Sequence, residues 1–99
     1  RPDGLGAYLS ARQLFAAQRY ELTLSRLERA RRRGLATPRL RREAARLHAI
    51  SLFALQRWDE ATTAFRELGT IAGIRPALAH TCELWLARIE HARQQARVS

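Results

Sequence analysis

The 99-residue chain suits one domain whose core forms without metals or disulfides; 46% of its residues are hydrophobic and 27% charged, which excludes disorder and Gly/Pro low complexity. No apolar run approaches a membrane span, the first residues lack a signal peptide's apolar stretch, and the single Cys82 excludes an internal disulfide and a thiolate zinc cluster. The net charge is +9 and every basic residue is Arg; residues 1–50 hold twelve Arg against four acids, so the surplus belongs almost wholly to the first half. The absence of Met marks the chain as a segment of a longer or processed protein, and a cytoplasmic setting is favoured although the compartment stays open.

The first element is a helix over residues 8–18, from the helical spacing of Tyr8, Ala11, Leu14 and Phe15. A second helix over 20–33 puts Leu24, Leu27 and Ala30 on one face and Arg26, Arg29 and Arg33 on another, and Gly34 stops it in a left-handed conformation. Thr37 then caps, and Pro38 fits the first position of a third helix reaching about Gln56. Its polar first half gives way to Ala49–Leu55, apolar nearly all round and therefore central. Asp59 and Glu60 open a fourth helix with inner face Ala61, Ala64, Phe65 and Leu68, ended by Gly69 or Gly73. Pro76 opens a fifth helix to about Arg97, with Ala79, Cys82, Leu86 and Ile89 on one stripe. Nothing reads as a strand, so the expected fold is all-α with about five helices.

Two segments repeat at an offset of 38 residues: Gln18-Arg19-Tyr20-Glu21 and Gln56-Arg57-Trp58-Asp59. The same offset lays Ala11 on Ala49, Leu14 on Leu52 and Leu27 on Phe65. Trp58-Asp59-Glu60-Ala61 followed by Phe65 resembles the tetratricopeptide repeat, a 34-residue helix-turn-helix with an aromatic at the turn, Asp-Glu-Ala and a later aromatic. The first copy keeps Tyr20-Glu21 but has Thr23 and Leu27 at the Ala61 and Phe65 positions. The resemblance implies antiparallel hairpins stacked as a short right-handed solenoid in one domain over 1–99. Its repeats would run at about 4–37 and 42–75, followed by an incomplete third repeat or capping helix over 76–97. Tyr20, Trp58, Ala61 and Phe65 are its structural positions. Glu43–Leu47 through Trp58–Ala61 is also similar to bacterial repeat-fold chaperones of type III secretion needle subunits.

In that family the first helix of each hairpin lines a partner-binding groove. The resemblance therefore points to Tyr8, Arg12 and Phe15 from the first helix, Arg46, Ile50 and Phe53 from the third, and His80, Leu84 and Arg88 from the fifth. Arg, aromatic and aliphatic side chains together are what peptide-binding hot spots favour. The alternative is that Phe15, Ile50 and Phe53 are simply core. The family's carboxylate clamp uses Lys and Asn; Arg12, Arg46 and Ile50 stand at the matching positions, so an amphipathic helix or acidic extended segment fits better.

Between Arg26 and Arg46 lie nine Arg and two acids, Glu28 and Glu43. A basic patch of Arg26, Arg29, Arg33, Arg39, Arg42 and Arg46 could meet nucleic acid, anionic lipid or an acidic protein, or could be a solvated helix face. No aromatic is interleaved and no DNA-reading motif is present. His48, His80, His91, Cys82 and the acids form no known catalytic or metal constellation, and no cofactor is implied. His80 with Glu83, and Glu90 with Arg93, read as helix-surface pairs. The leading expectation is thus a non-catalytic interaction module, scaffold or chaperone, whose partner is another protein or another part of its own chain. Homo-oligomerisation through Leu84, Trp85 and Ile89 is a further alternative.

Overall fold

A computed structural model describes residues 1–71 and 75–98. It contains five helices: α1 (Leu5–Ala16), α2 (Tyr20–Arg33), α3 (Pro38–Ala54), α4 (Trp58–Gly69) and α5 (Pro76–Val98). No strand occurs among the described residues, and no helix there is long and apolar enough to cross a membrane. Connections of three or four residues join α1 to α2, α2 to α3 and α3 to α4. Links this short suit antiparallel neighbours. The smallest extent of the molecule is 19 Å, the thickness of two helix layers.

The capping signals act as expected at α3, where the Leu40 amide donates to Thr37 Oγ1 at 3.1 Å and Pro38 occupies the first turn. Gly34 ends α2 at φ 92, ψ 140, a conformation open essentially to glycine alone. α1 begins at Leu5, three residues before the apolar spacing starts, because the chain ahead of it is tied down. The Gly4 amide donates to the Gly34 carbonyl at 2.8 Å, and a Cβ on Gly4 would lie 2.5 Å from the Ala30 carbonyl oxygen. No periodicity announces that clamp. Gly73, a candidate end for α4, lies outside the described residues; α4 itself ends at Gly69.

The two turns repeat atom by atom. Arg19 and Arg57 amides donate to Leu14 and Leu52 carbonyls at 2.8 and 3.0 Å, while Gln18 and Gln56 amides donate to Phe15 and Phe53, both at 2.9 Å. This is a Schellman ending, with each glutamine at φ 60 where glycine is usual. Each turn then stands one ring edge-on to another: Phe15 to Tyr20 at 5.8 Å and Phe53 to Trp58 at 5.4 Å.

Two core clusters result, and α3 serves both. Tyr8, Ala11, Leu27, Ala30 and Leu35 bury Leu47 of α3, whereas Ala49 and Leu52 of α3 join Ala61, Phe65, Leu68, Cys82 and Ile89. Thr23 occupies the place of Ala61 with its hydroxyl turned back to donate to the Arg19 carbonyl at 2.8 Å, so the larger polar residue is accommodated. Trp58 and Tyr20 are half-buried, packed at the corners and not sealed within the core.

Candidate functional site

Three groupings stand out, and two of them gather side chains that sequence points to. The first lies between α1 and α3. Tyr8 is 3% exposed, and the Arg12 guanidinium rests over its ring at 5.9 Å from the centroid. Arg46 makes a forked pair with Glu43, with donor-acceptor distances of 2.6 and 3.2 Å. That hydrogen-bonded pair, reinforced by the charges of Arg12 and Arg39, holds the Glu43 carboxyl below its usual range. Burial first, then Glu43, pushes the Tyr8 hydroxyl upward, against the pull of Arg12, Arg46 and Arg39. One carboxylate therefore sits among three guanidinia, and the knot keeps a positive excess.

The second grouping joins α3, α4 and α5. Phe53 stands edge-on to Trp58 and to Trp85 at 5.4 and 5.1 Å, and Trp85 stacks on Phe65 at 5.1 Å and 10°. The Arg88 guanidinium lies over Trp85 at 4.4 Å and within 5.5 Å of the Phe53 ring centre. Such stacking leaves the edge donors of the guanidinium available. Neither Arg12 nor Arg88 makes an ion pair among the described residues.

The remaining groove candidates fall outside these groupings. Phe15 packs on Tyr20 at the first turn, and Ile50 packs half-buried on the second core cluster. His80 and Leu84 are exposed on α5, His80 lying 3.8 Å from Glu83. Arg93 pairs across the fold with Asp59, not with Glu90, which instead accepts from Gln94 at 3.2 Å. Trp85 and Ile89 turn inward, so of the expected apolar face on α5 only Leu84, 53% exposed, remains open. That weakens the case for oligomerisation through this helix.

The basic patch is split between two faces. Helical spacing places Arg26, Arg29 and Arg33 on one stripe of α2, away from Glu28 and Arg31, and Arg39, Arg42 and Arg46 on one stripe of α3 toward Tyr8. Arg46 is committed to Glu43, and the other five make no ion pair among the described residues. Glu28 is taken up by Arg31 at 2.7 Å and lies 3.9 Å from Arg32, while Arg41 donates to the Leu35 carbonyl at 2.7 Å.

The third grouping went unnoticed in the sequence. Two open clefts, of about 560 and about 340 Å³, lie where α2 and α4 flank α3, and His48 and Glu67 line both. None of the nine groove candidates lines either cleft. His48 keeps solvent access, yet its place at the junction of the clefts lowers its pKa from the ordinary 6.5, with burial the chief cause. Glu28, Glu60 and Glu67 oppose that shift, and Arg57 adds to it. Its i, i+4 relation to Leu52 is readable in the sequence, but charge on the neighbouring helices is not readable from one helix alone.

Among the described residues no group of three or more His, Cys, Asp or Glu is arranged to hold a metal ion. Cys82 is buried, which raises its thiol pKa from the ordinary 9.0 and so suppresses the thiolate. No family model, curated protein or solved structure matches this chain.

Proposed function

We propose that the chain is a non-catalytic protein-interaction module. It is a short right-handed stack of tetratricopeptide-like hairpins whose α1, α3 and α5 face takes an acidic helix or extended segment of a partner. The observation that carries this reading is the pair of guanidinia stacked on rings, Arg12 on Tyr8 and Arg88 on Trp85, with no carboxylate bound. Arg on aromatic rings is a common form of interface hot spot, since the ring fixes the guanidinium before a partner arrives. The identical Schellman turns 38 residues apart support the stacked-hairpin reading. A scaffold or chaperone role fits such a face.

The test is capture of the native partner by the wild-type chain and by Arg12→Glu and Arg88→Glu variants. Capture should fall at least about tenfold in each, about 1.4 kcal/mol, with helicity by circular dichroism unchanged. Capture that persists in both variants removes this face from consideration.

A second reading, electrostatic binding of nucleic acid or anionic membrane, rests on Arg26, Arg29, Arg33, Arg39 and Arg42, five arginines with no ion pair among the described residues. Salt separates the two: phosphate binding should weaken by orders of magnitude between about 50 and 200 mM salt. Capture through ring-stacked arginines and apolar contacts should change far less.

A further inference from the structure

We infer that the open side of the first hairpin is a second docking face, built for an acidic amphipathic helix of a partner protein. On the second hairpin the matching side is already covered. There Leu47 is 3% exposed and packed against α1 and α2, Ser51 is fully buried, and α4 presents Glu67 to the cleft that α2 borders and Glu60 and Ala64 to the adjoining cleft, which His48 and Glu67 also line. Subtracting the 38-residue offset, which the two identical turns justify, carries that side onto Leu9 and Gln13 of α1 and Leu22, Arg26 and Arg29 of α2.

On the first hairpin nothing among the described residues covers it. Leu9 is 45% exposed where Leu47 is sealed, and Leu5, one turn before it on α1, and Leu22 on α2 are 50% and 39% exposed. Three of the five large exposed hydrophobic residues among the described ones therefore share one side of one hairpin. Leucines in contact with water on a stacking side represent burial not yet realised.

Charge selects the occupant. At the covered junction, the acid Glu67 of α4 lines the same cleft as Arg31 of α2. At the open side the residue equivalent to Glu67 is Arg29, flanked on its stripe by Arg26 and Arg33, and none of the three has an ion-pair partner among the described residues. A helix seated there meets leucines and three free guanidinia, and its flank must carry carboxylates. A second copy of this chain is a poor occupant because it carries the same +9 charge.

This face meets the proposed one at Arg12, which follows Leu9 at i+3 and Leu5 at i+7 on α1, but includes neither Arg46 nor Arg88, and one experiment separates them. The full chain, isotopically labelled, is titrated with a synthetic helix carrying leucines at i, i+3, i+4 and i+7 and glutamates on the flank. Amide shifts should concentrate between residues 5 and 13 and between 22 and 33. The Arg26→Glu/Arg29→Glu double variant should bind at least about tenfold more weakly. A peptide with lysine in place of glutamate should recover affinity for that variant, while Arg88→Glu should bind as wild type does. Leu9→Glu, a solvent-facing change that spares the core, should also abolish binding.

Failure to bind, shifts centred on Arg46 and Arg88, or no recovery with the lysine peptide would each overturn the inference. So would binding of phosphatidylserine vesicles or duplex DNA through the same arginines in preference to the peptide. Self-association in sedimentation that Leu9→Glu abolishes would make the occupant a second copy and refute the assignment to a partner.

Discussion

The two hairpins share a turn and differ in what the turn supports. In the first, the Phe15–Tyr20 ring pair stands alone at its corner and the residue behind it is Leu27. In the second, Phe53 and Trp58 open onto Trp85 and Phe65, so four rings from three helices lean on one another and Arg88 covers the outer edge. Backbone geometry thus repeats under very different side chains. What distinguishes the hairpins energetically is the helix that follows them, because α5 supplies the indole that joins the aromatic cluster together.

The comparison breaks most visibly at its buried ring. Phe65→Ala should cost about 3 to 5 kcal/mol, because it removes a fully buried ring and leaves Trp85 without its stacked neighbour. Leu27→Ala, at the equivalent position, should cost nearer about 2 kcal/mol, since Leu27 borders an open cleft into which neighbours can relax. Chemical denaturation of both variants gives the ordering. An equal or inverted pair of values would show that α5 adds nothing to the second corner.

Replacing the left-handed glutamines sharpens the likeness instead of the difference. Gln18→Gly and Gln56→Gly each relieve a non-glycine residue at φ 60, partly offset by the greater freedom of glycine in the unfolded chain. Each should therefore stabilise by about 0.5 to 1 kcal/mol, measured by the same denaturation. Because the hydrogen bonds around them match, the two gains should agree; unequal gains would mean that the turns only look alike.

Much of this was legible in residues whose signal is local. Thr37-Pro38 and Gly34 mark their boundaries, and the 38-residue echo around Tyr20 and Trp58 reveals two copies of one turn without either glutamine announcing its left-handed backbone. Core positions such as Ala49, Leu52, Ala61 and Phe65 also follow from spacing, since burial on one helix face depends on sequence period alone. What needed coordinates depends on which helix sits opposite. Arg88 finds Trp85 on its own helix but Phe53 on another, Arg93 crosses to Asp59, and the six-arginine patch divides because its two stripes belong to differently facing helices. The clamp of Asp3 and Gly4 on the end of α2 is likewise a meeting of distant residues and has no local signature.

The smallest effect concerns pH and belongs to the cleft between the hairpins, where His48 stands at the position that Ser10 holds in the first copy. Well above the ordinary value of 6.5 the imidazole is neutral in both folded and unfolded chains and adds no pH dependence. Below it the unfolded chain takes up a proton that the folded chain, with its lowered pKa, resists. Stability should therefore decline as pH falls from about 7.5 to about 5.5, a window above the depressed titrations of Glu28 and Glu43. Thermal midpoints across that window should slope less in His48→Gln than in the wild type. A Ser10→His variant should not acquire the same slope, because the side of α1 that carries it has no second hairpin's carboxylates and walls around it. An unchanged slope in His48→Gln would place the His48 ring in water and the cleft's influence on it at nothing.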